Sequence, residues 1–287
     1  MNLTRYRTAL FLLPTVATLL AVTIYPLLFA LYASVHDWTF YSQTHVWPFV
    51  GLRQYQELLL DSDFRNSLLV TAMFCSGSVG LSFFIGLGLG LLFNRPLRGK
   101  NFFRTAVMLP LFVTPVVVGF GWRFMLQGRT GLITGYLLPL IGIQVDTVLA
   151  RGSTALLSVI AADVWNQTPL MFLILLAGLS AIPRDMYEAA QVDGARTWQT
   201  FRYITIPNLR HVILIGLFIR TIDAFNASFG TIFIMTAGGP GTATETLPML
   251  GWRIAFLSAR FGTASALAML MVLIMVIVGN LYVRSMR

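Results

Sequence analysis

Long apolar stretches separated by short polar segments dominate the chain. A helix of about 20 apolar residues crosses the hydrocarbon core of a bilayer, and six of the stretches are long enough to do so. They cover approximately residues 10–33, 66–93, 106–126, 154–180, 208–236 and 261–283. This pattern predicts an all-α integral membrane protein with six transmembrane helices, in which a single membrane domain occupies residues 1–287.

The first stretch has a cleaved signal peptide as its competing interpretation. Its apolar part is longer than the roughly 7–15 residues usual in a signal peptide, and no Ala-x-Ala cleavage site follows it. A retained transmembrane helix is therefore the better prediction.

The second and third stretches contain residues that change how a helix packs or bends. Gly86 and Gly90 lie one turn apart, so another helix can approach closely, either from this chain or from a partner subunit. Pro110 and Pro115 each remove a backbone hydrogen bond, which predicts a kink in the third helix.

Charged side chains interrupt the fourth and fifth stretches. Such a side chain at the bilayer centre costs about 2.5–3.5 kcal/mol on insertion scales, so these residues should face protein or water. Arg220, Asp223 and Asn226 recur at every third position and share one helical face, and Asp163 lies at a similar depth. Two interpretations remain open: Arg220 and Asp223 neutralise each other within the bundle, or the stripe lines a translocation path.

Basic residues crowd at the ends of the apolar stretches. Hydrophobic residues make up 56% of the chain and charged residues 11%, with a formal net charge of +9. One short loop holds four basic residues and no acidic one: Arg95, Arg98, Lys100 and Arg104. The positive-inside rule makes this loop cytoplasmic, and six helices then place both chain ends on the same side. The terminal arginines that agree with this orientation are Arg5, Arg7, Arg284 and Arg287. Membrane orientation thus explains the positive charge, and nucleic acid is not an expected partner.

Several functional classes lack their chemistry in this sequence. Cys75 is the single cysteine, which excludes an intrachain disulfide, and the three histidines lack ligand spacing. Lys100 is the only lysine, is followed by Asn101 and lacks the first glycine of a phosphate-binding P-loop. We therefore expect no metal, no cofactor and no enzymatic site in this chain.

Residues 182–207 form the one sizeable segment with the composition of a soluble protein. Pro183 suits the first turn of a helix, and Gly194 stands where a chain leaving a helix often needs a left-handed residue. A second short helix over residues 195–203 is predicted to end before Pro207. We call this predicted helix–turn–helix segment outside the membrane the elbow.

The first half of the elbow has the features of a docking surface. Ala189 and Ala190 leave a slim helical face that can fit a groove, while Glu188 and Asp193 offer charges to a partner's Arg or Lys. An ordinary surface loop between two helices is the alternative.

The elbow resembles the cytoplasmic EAA loop of ABC importer permeases. In that family Glu-Ala-Ala is followed after three residues by Gly and, after nine more, by Ile-x-Leu-Pro. The matching positions are Glu188, Ala189, Ala190, Gly194, Ile204 and Pro207, with Ile206 where leucine is usual. The resemblance implies a MetI-like permease core, in which the elbow with Asp193 is a coupling helix received by a separate ATPase subunit.

Most of the chain is similar to the carbohydrate-uptake members of this family, of the maltose and glycerol-phosphate first-permease type, with most of the matching residues after Pro183. The similarity lies in residues 50–55, in Asp223-Ala-Phe-Asn226, in the Gly-Gly-Pro-Gly loop over 238–247 and in residues 261–268. It implies import of a di- or oligosaccharide, or of a glycerol-phosphate-like solute, by alternating access in a bacterial or archaeal cytoplasmic membrane. It also implies a heterodimer with a related second permease, two ATP-hydrolysing subunits and an external substrate-binding protein.

Polar residues of the fourth and fifth helices are the candidate substrate contacts in such a permease. Trp165, Asn166 and Asn226 offer stacking and hydrogen-bonding surfaces suited to sugars, and the glycine-rich loop can expose backbone groups where a helix is interrupted. The full candidate path comprises Asp163, Trp165, Asn166, Arg220, Asp223, Asn226, Gly238, Gly239 and Pro240. Two alternatives stay open: an importer permease for a peptide, amino acid or phosphate, and an ion-coupled carrier that uses the aspartates as proton or sodium sites.

Overall fold

A computed structural model describes residues 12–39, 47–96, 98–142 and 148–286 of the chain. Within these ranges the regular structure is helical, apart from two isolated β-bridges. The all-α prediction is confirmed. The start of the first predicted stretch at residues 10–11 and the terminal arginines Arg5, Arg7 and Arg287 lie outside the described residues.

Five helices of the described chain are long and apolar enough to cross a membrane. Four of them are α1 (Leu12–Ser34), α3 (Ser62–Phe93), α6 (Gly152–Ser180) and α10 (Phe261–Met286). The fifth begins at Thr197 and continues through a π-helical turn, Phe201–Thr205, into α8, Ile206–Met235. The shorter helices include α2 (Arg53–Leu60), α4 (Lys100–Phe112), α5 (Pro115–Met125), α7 (Arg184–Val192) and α9 (Leu247–Leu257), and a π-helical turn, Leu132–Leu137, continues into the short α-helix Leu138–Leu140.

The third predicted span is two helices. α4 and α5 meet at an angle of 98°, so the described chain has five candidate spans, or six if this bent pair counts as one. Val113 and Thr114 are extended at the break, as expected for residues that lead into Pro115. The two prolines therefore do more than kink a continuous helix over 106–126.

The second half of the elbow also differs from its prediction. The helix that begins at Thr197 does not end before Pro207, because the π-helical turn carries it into α8. The amide of Ile206 bonds the carbonyl of Phe201, five residues back, instead of the partner four residues back. This wider turn accommodates Pro207, whose ring clashes with the carbonyl of a regular α-helical turn.

Two further helices lie in segments predicted as loops. α2 occupies part of the polar segment between His36 and Arg65, and α3 begins at Ser62 instead of residue 66. α9 follows the glycine-rich loop. Both α2 and α9 are too short for their sequences to show a clear helical period of apolar residues, so the sequence did not predict them.

The chain forms two compact units, and the single membrane domain predicted for residues 1–287 stays a prediction. Unit 1 comprises Met1–Arg65 and Leu250–Met275, and unit 2 comprises Asn66–Met249 and Val276–Arg287, each as far as it is described. In unit 1, Gln54 Nε2 donates a hydrogen bond of 2.6 Å to the carbonyl of His36.

Helix α6 is the centre of unit 2. In its most apolar part 67% of the residues are buried, against 33% for α3 and 22% for the helix that begins at Thr197. Buried Met171, Leu175 and Leu179 of α6 pack with Leu87 of α3 and Leu209 of α8. The long apolar side chains of α6 therefore hold the other helices of the unit.

Glycines bring α3 and α6 into close contact. A Cβ atom at Gly86 would lie 3.0 Å from both Met171 Cγ and the backbone nitrogen of Phe172, and one at Gly90 would lie 3.2 Å from Leu179 Cδ1. The Gly86-x-x-x-Gly90 face thus packs within this chain, which was one of the two interpretations of its sequence.

Gly86→Ala is expected to destabilise the protein, because the added methyl group pushes against backbone atoms of α6 that cannot rotate away. Overpacking of this kind costs about 1–3 kcal/mol. Gly88→Ala is the matched control, since a Cβ atom there meets no described atom within 4 Å. Thermal unfolding of the two detergent-purified variants measures the difference, and equal melting temperatures would contradict the close α3–α6 contact.

Candidate functional site

A buried arginine connects three helices of unit 2. Arg220 of α8 has only 1% of its surface exposed. Its Nη2 atom donates to Ser78 Oγ of α3 at 2.6 Å and contacts Asp163 Oδ2 of α6, and its Nη1 atom donates to Asp223 Oδ2 at 3.0 Å. Ser78 Oγ in turn donates to Asp163. We call Ser78, Asp163, Arg220 and Asp223 the charge network.

The charge network is a desolvated ion pair with a second, half-solvated carboxylate. The side chain of Asp163 is 5% exposed, whereas that of Asp223 is 32% exposed. A buried arginine and a buried aspartate stabilise each other only when geometry and hydrogen bonds compensate for lost hydration. Arg220 Nε has no hydrogen-bond partner among the described atoms, so this compensation is incomplete.

The sequence identified three of the four members of the charge network. It predicted that the charges face protein or water, and it left open a pair between Arg220 and Asp223. The pair exists, but Arg220 also binds Asp163 of a different helix. Ser78 was missed, because a serine in a glycine-rich apolar helix has no distinguishing pattern.

Asn166 supports the break between α4 and α5. Its Nδ2 atom donates to the carbonyls of Pro110 at 2.6 Å and Val113 at 3.1 Å, and its Oδ1 atom accepts from Gln167 Nε2 at 2.9 Å. The carbonyl of Pro110 also accepts from the backbone amide of Val113 at 3.1 Å, and Asn166 adds a side-chain donor to both carbonyls at the break. The side chain is therefore already engaged within the protein.

Trp165 and Asn226 are the exposed polar candidates in unit 2. Trp165 is 45% exposed and lines a largely apolar cavity of about 510 Å³ beside Pro110 and Thr168. Asn226 is exposed on α8, one turn after Asp223. Both side chains therefore have exposed surface that a ligand can contact, whereas the side chain of Asn166 is buried.

The glycine-rich loop after α8 folds back on itself. The backbone amide of Thr244 donates to the carbonyl of Gly238 at 3.1 Å, and its hydroxyl donates to that of Gly239 at 2.8 Å. Gly238 has a φ of +86°, which a glycine adopts without strain. Asn66 of α3 donates to the carbonyl of Thr242 at 2.9 Å, so the loop is fastened to α3. Pro240 lies in the same turn. The backbone carbonyls that were candidates for substrate contact therefore already accept hydrogen bonds from donors within the loop.

The elbow has one anchored face and one free face. Tyr187 of α7 packs on the apolar cluster around Leu179, and its hydroxyl lies 3.2 Å from Thr205 Oγ1 in the π-helical turn. Gly194 has a φ of +74°, which confirms its predicted left-handed conformation. Asp193 is exposed, and all six matching positions are exposed or half-buried: Glu188, Ala189, Ala190, Gly194, Ile204 and Pro207.

Apolar helices of bilayer-spanning length, a charge network buried between them and a polar elbow at their end define a multi-pass membrane protein of the transport class. The chain belongs to the family of binding-protein-dependent transport system inner membrane components, whose model matches residues 78–287.

Relatives and a solved structure agree with this assignment. The chain is 36% identical to the trehalose/maltose transport system permease protein MalF of Thermococcus litoralis, over 93% of this chain and 90% of that protein. It is 37% identical to the sn-glycerol-3-phosphate transport system permease protein UgpA of Agrobacterium fabrum, over 79% of this chain and 77% of that protein. The fold matches a chain of a bacterial alginate ABC transporter crystallised with an alginate pentasaccharide-bound periplasmic protein. That match has a TM-score of 0.83 and 22% identity, and covers 96% of this chain and 92% of the other.

Arg220→Leu is expected to destabilise unit 2 strongly, because it leaves Asp163 buried without a counter-charge. Removing one partner of a buried pair costs about 3–5 kcal/mol. The double variant Arg220→Leu with Asp163→Leu should recover part of that loss. Arg53→Leu is the control, since its ion pairs with Asp37 and Glu57 are exposed and worth at most about 1 kcal/mol. Thermal unfolding of wild type, Arg220→Leu, Asp163→Leu and the double variant gives the coupling, and strictly additive effects would contradict a buried pair.

Proposed function

We propose that this chain is a permease subunit of an ATP-driven, binding-protein-dependent importer for a carbohydrate. The observation that carries the proposal is the match of most of the chain to permeases whose names specify trehalose, maltose and glycerol phosphate. A di- or oligosaccharide, or a glycerol-phosphate-like solute, is the substrate class that these relatives support.

The charge network argues against the ion-coupled carrier that the sequence left open. A proton or sodium site needs a carboxylate that can bind the ion, whereas Asp163 accepts from both Arg220 and Ser78. No relative reported above is named for a peptide, an amino acid or inorganic phosphate. The carbohydrate assignment is therefore preferred to both alternatives.

The partners follow from the same proposal. A related second permease completes the pore, two ATPase subunits bind ATP with Mg²⁺ and hydrolyse it, and an external binding protein delivers the substrate. The alginate transporter that shares this fold was crystallised with such a periplasmic protein, which supports the last of these partners. This chain itself contributes transport and no catalysis.

The proposed orientation treats α4 and α5 as one span and gives six spans in a bacterial or archaeal cytoplasmic membrane. Both termini, the loop with Arg95 and Arg98, and the elbow are then cytoplasmic. The excess of basic residues on that side supports this arrangement.

The mechanism assigns the elbow the role of a lever. α7 follows α6 directly, and the contact of Tyr187 with Thr205 joins α7 to the start of α8. A push on the exposed face of α7, when the ATPase subunits close, would therefore reach α6 and α8 together. The charge network connects these two helices deeper in unit 2. Their joint movement would switch the access of a central cavity between the two sides of the membrane.

Glu188→Arg should weaken co-purification of the ATPase subunits and abolish uptake, because it reverses a charge on the free face of the elbow. Asp185→Arg, one turn earlier on the same helix and outside the matching pattern, is the control and should have the smaller effect. Gly194→Val should act like Glu188→Arg through backbone strain at φ +74°, whereas Gly194→Asn should be tolerated. Transport and assembly that survive both Glu188→Arg and Gly194→Val would refute the role of the elbow.

Trp165→Ala and Asn226→Ala are expected to reduce sugar uptake and substrate-stimulated ATPase activity while the complex still assembles, since both side chains are exposed. Asn166→Ala should instead lower the yield of assembled complex, because the break between α4 and α5 loses the hydrogen bonds that Asn166 donates to the carbonyls of Pro110 and Val113. Size-exclusion chromatography and uptake assays separate the two effects. Normal uptake in both the Trp165 and the Asn226 variants would place the sugar on another face.

A further inference from the structure

A groove of about 450 Å³ lies between the beginning of α8 and the end of α10, and the proposed function does not use it. Its lining includes Arg202, Ile206, Arg210, Ile213, Leu214 and Ser285. All but Ser285 belong to α8 and the π-helical turn before it, and their spacing of three and four residues places them on one helical face. Both walls lie in unit 2.

The groove is polar at one end and apolar at the other. Arg202 and Arg210 lie towards the beginning of the helix, about 12 Å apart along its axis by the α-helical rise. Ile213 and Leu214 continue the groove into the apolar part of α8. Arg210 Nη2 donates to the carbonyl of Ser285 at 3.3 Å, which holds its guanidinium beside the groove.

Neither guanidinium group forms an ion pair among the described residues. No Asp or Glu occurs between Asp193 and Asp223 or after Glu245, so both helices that form the groove lack acidic residues along it. Among the described residues, Arg53, Arg253 and Arg260 pair with carboxylates, whereas Arg202 and Arg210 do not. The positive charge of the groove is therefore available to an external anion.

We propose that this groove binds one anionic phospholipid, with the phosphate between Arg202 and Arg210 and an acyl chain along Ile213 and Leu214. Guanidinium groups bind phosphate oxygens through several donors at once, and basic pockets between membrane helices suit anionic headgroups. The apolar end favours a lipid over free phosphate, which has nothing to place there. The inference rests on the membrane orientation of the proposed function and not on the transported solute.

Native mass spectrometry of the complete transporter tests this proposal. The complex is reconstituted in nanodiscs of phosphatidylcholine alone or with added phosphatidylglycerol, then released, and the retained lipids are counted. The wild-type complex should retain one phosphatidylglycerol molecule. Arg202→Gln and Arg210→Gln should each lower the affinity for this lipid about fivefold, as expected for the loss of one arginine contact. Arg210→Lys should recover part of the affinity. Arg95→Gln, which removes an exposed charge at the end of α3, is the matched control and should match wild type.

Three results would overturn the proposal. An equal loss of phosphatidylglycerol from the Arg95→Gln variant would indicate that the lipid binds to general positive surface charge. Equal retention of phosphatidylcholine would show that the groove does not recognise the negative charge of the headgroup. Displacement of the lipid by inorganic phosphate at millimolar concentration would reduce the groove to a simple anion site. Arg202 makes no described hydrogen bond or ion pair, so its substitution leaves the fold intact and the count interpretable. A wild-type complex that retains the lipid but does not take up sugar would count against the proposed function alone.

Discussion

The contact of Arg220 with Asp163 and Ser78 constrains the arrangement of unit 2 more than any apolar contact does. A guanidinium in a low-dielectric interior has to find its counter-charge, and here the counter-charge is on another helix, so α6 and α8 are held at a fixed depth relative to each other. Apolar packing alone tolerates sliding of one helix along another, since one leucine replaces the next. A buried ion pair is thus better understood as a determinant of register than as a source of stability.

The parts of the fold that depend on local chemistry were predictable from the sequence. Apolar length gave the long helices, Gly194 gave the left-handed turn of the elbow, and the cost of burying charge placed Asp163 and Arg220 inside. The choice of partner was not predictable, because Asp163 and Asp223 are equally suitable acids in sequence and only helix packing brings the first to Arg220. The same limit applies to the bend of 98° between α4 and α5. Pro110 and Pro115 indicate a disturbance there, but its size depends on Asn166, which lies more than fifty positions away.

Polar residues within the membrane helices divide into two kinds when their contacts are considered. Asn166 and Ser78 satisfy groups of the protein itself, whereas Trp165 and Asn226 keep open surface. The sequence does not distinguish residues that bond within the protein from residues with open surface. Asn166 and Asn226, for example, are both hydrogen-bonding residues in apolar helices. Loss of activity on replacing a polar residue in such a protein is therefore weak evidence for substrate contact unless assembly is measured alongside it.

The π-helical turn over Phe201–Thr205 has a consequence for the length of the segment that follows Gly194. A π-helical turn contains about one residue more than the α-helical turn it replaces, so the spacing from Gly194 to Ile204 includes a residue that a regular helix would not need. Without that residue, each side chain from Ile206 onward would move by roughly 100° around the helix axis relative to the elbow. Arg220 would then point away from Asp163. The spacing within the elbow therefore sets the angular phase of the helix that follows it, and natural insertions or deletions near the elbow should be tolerated only when they preserve that phase.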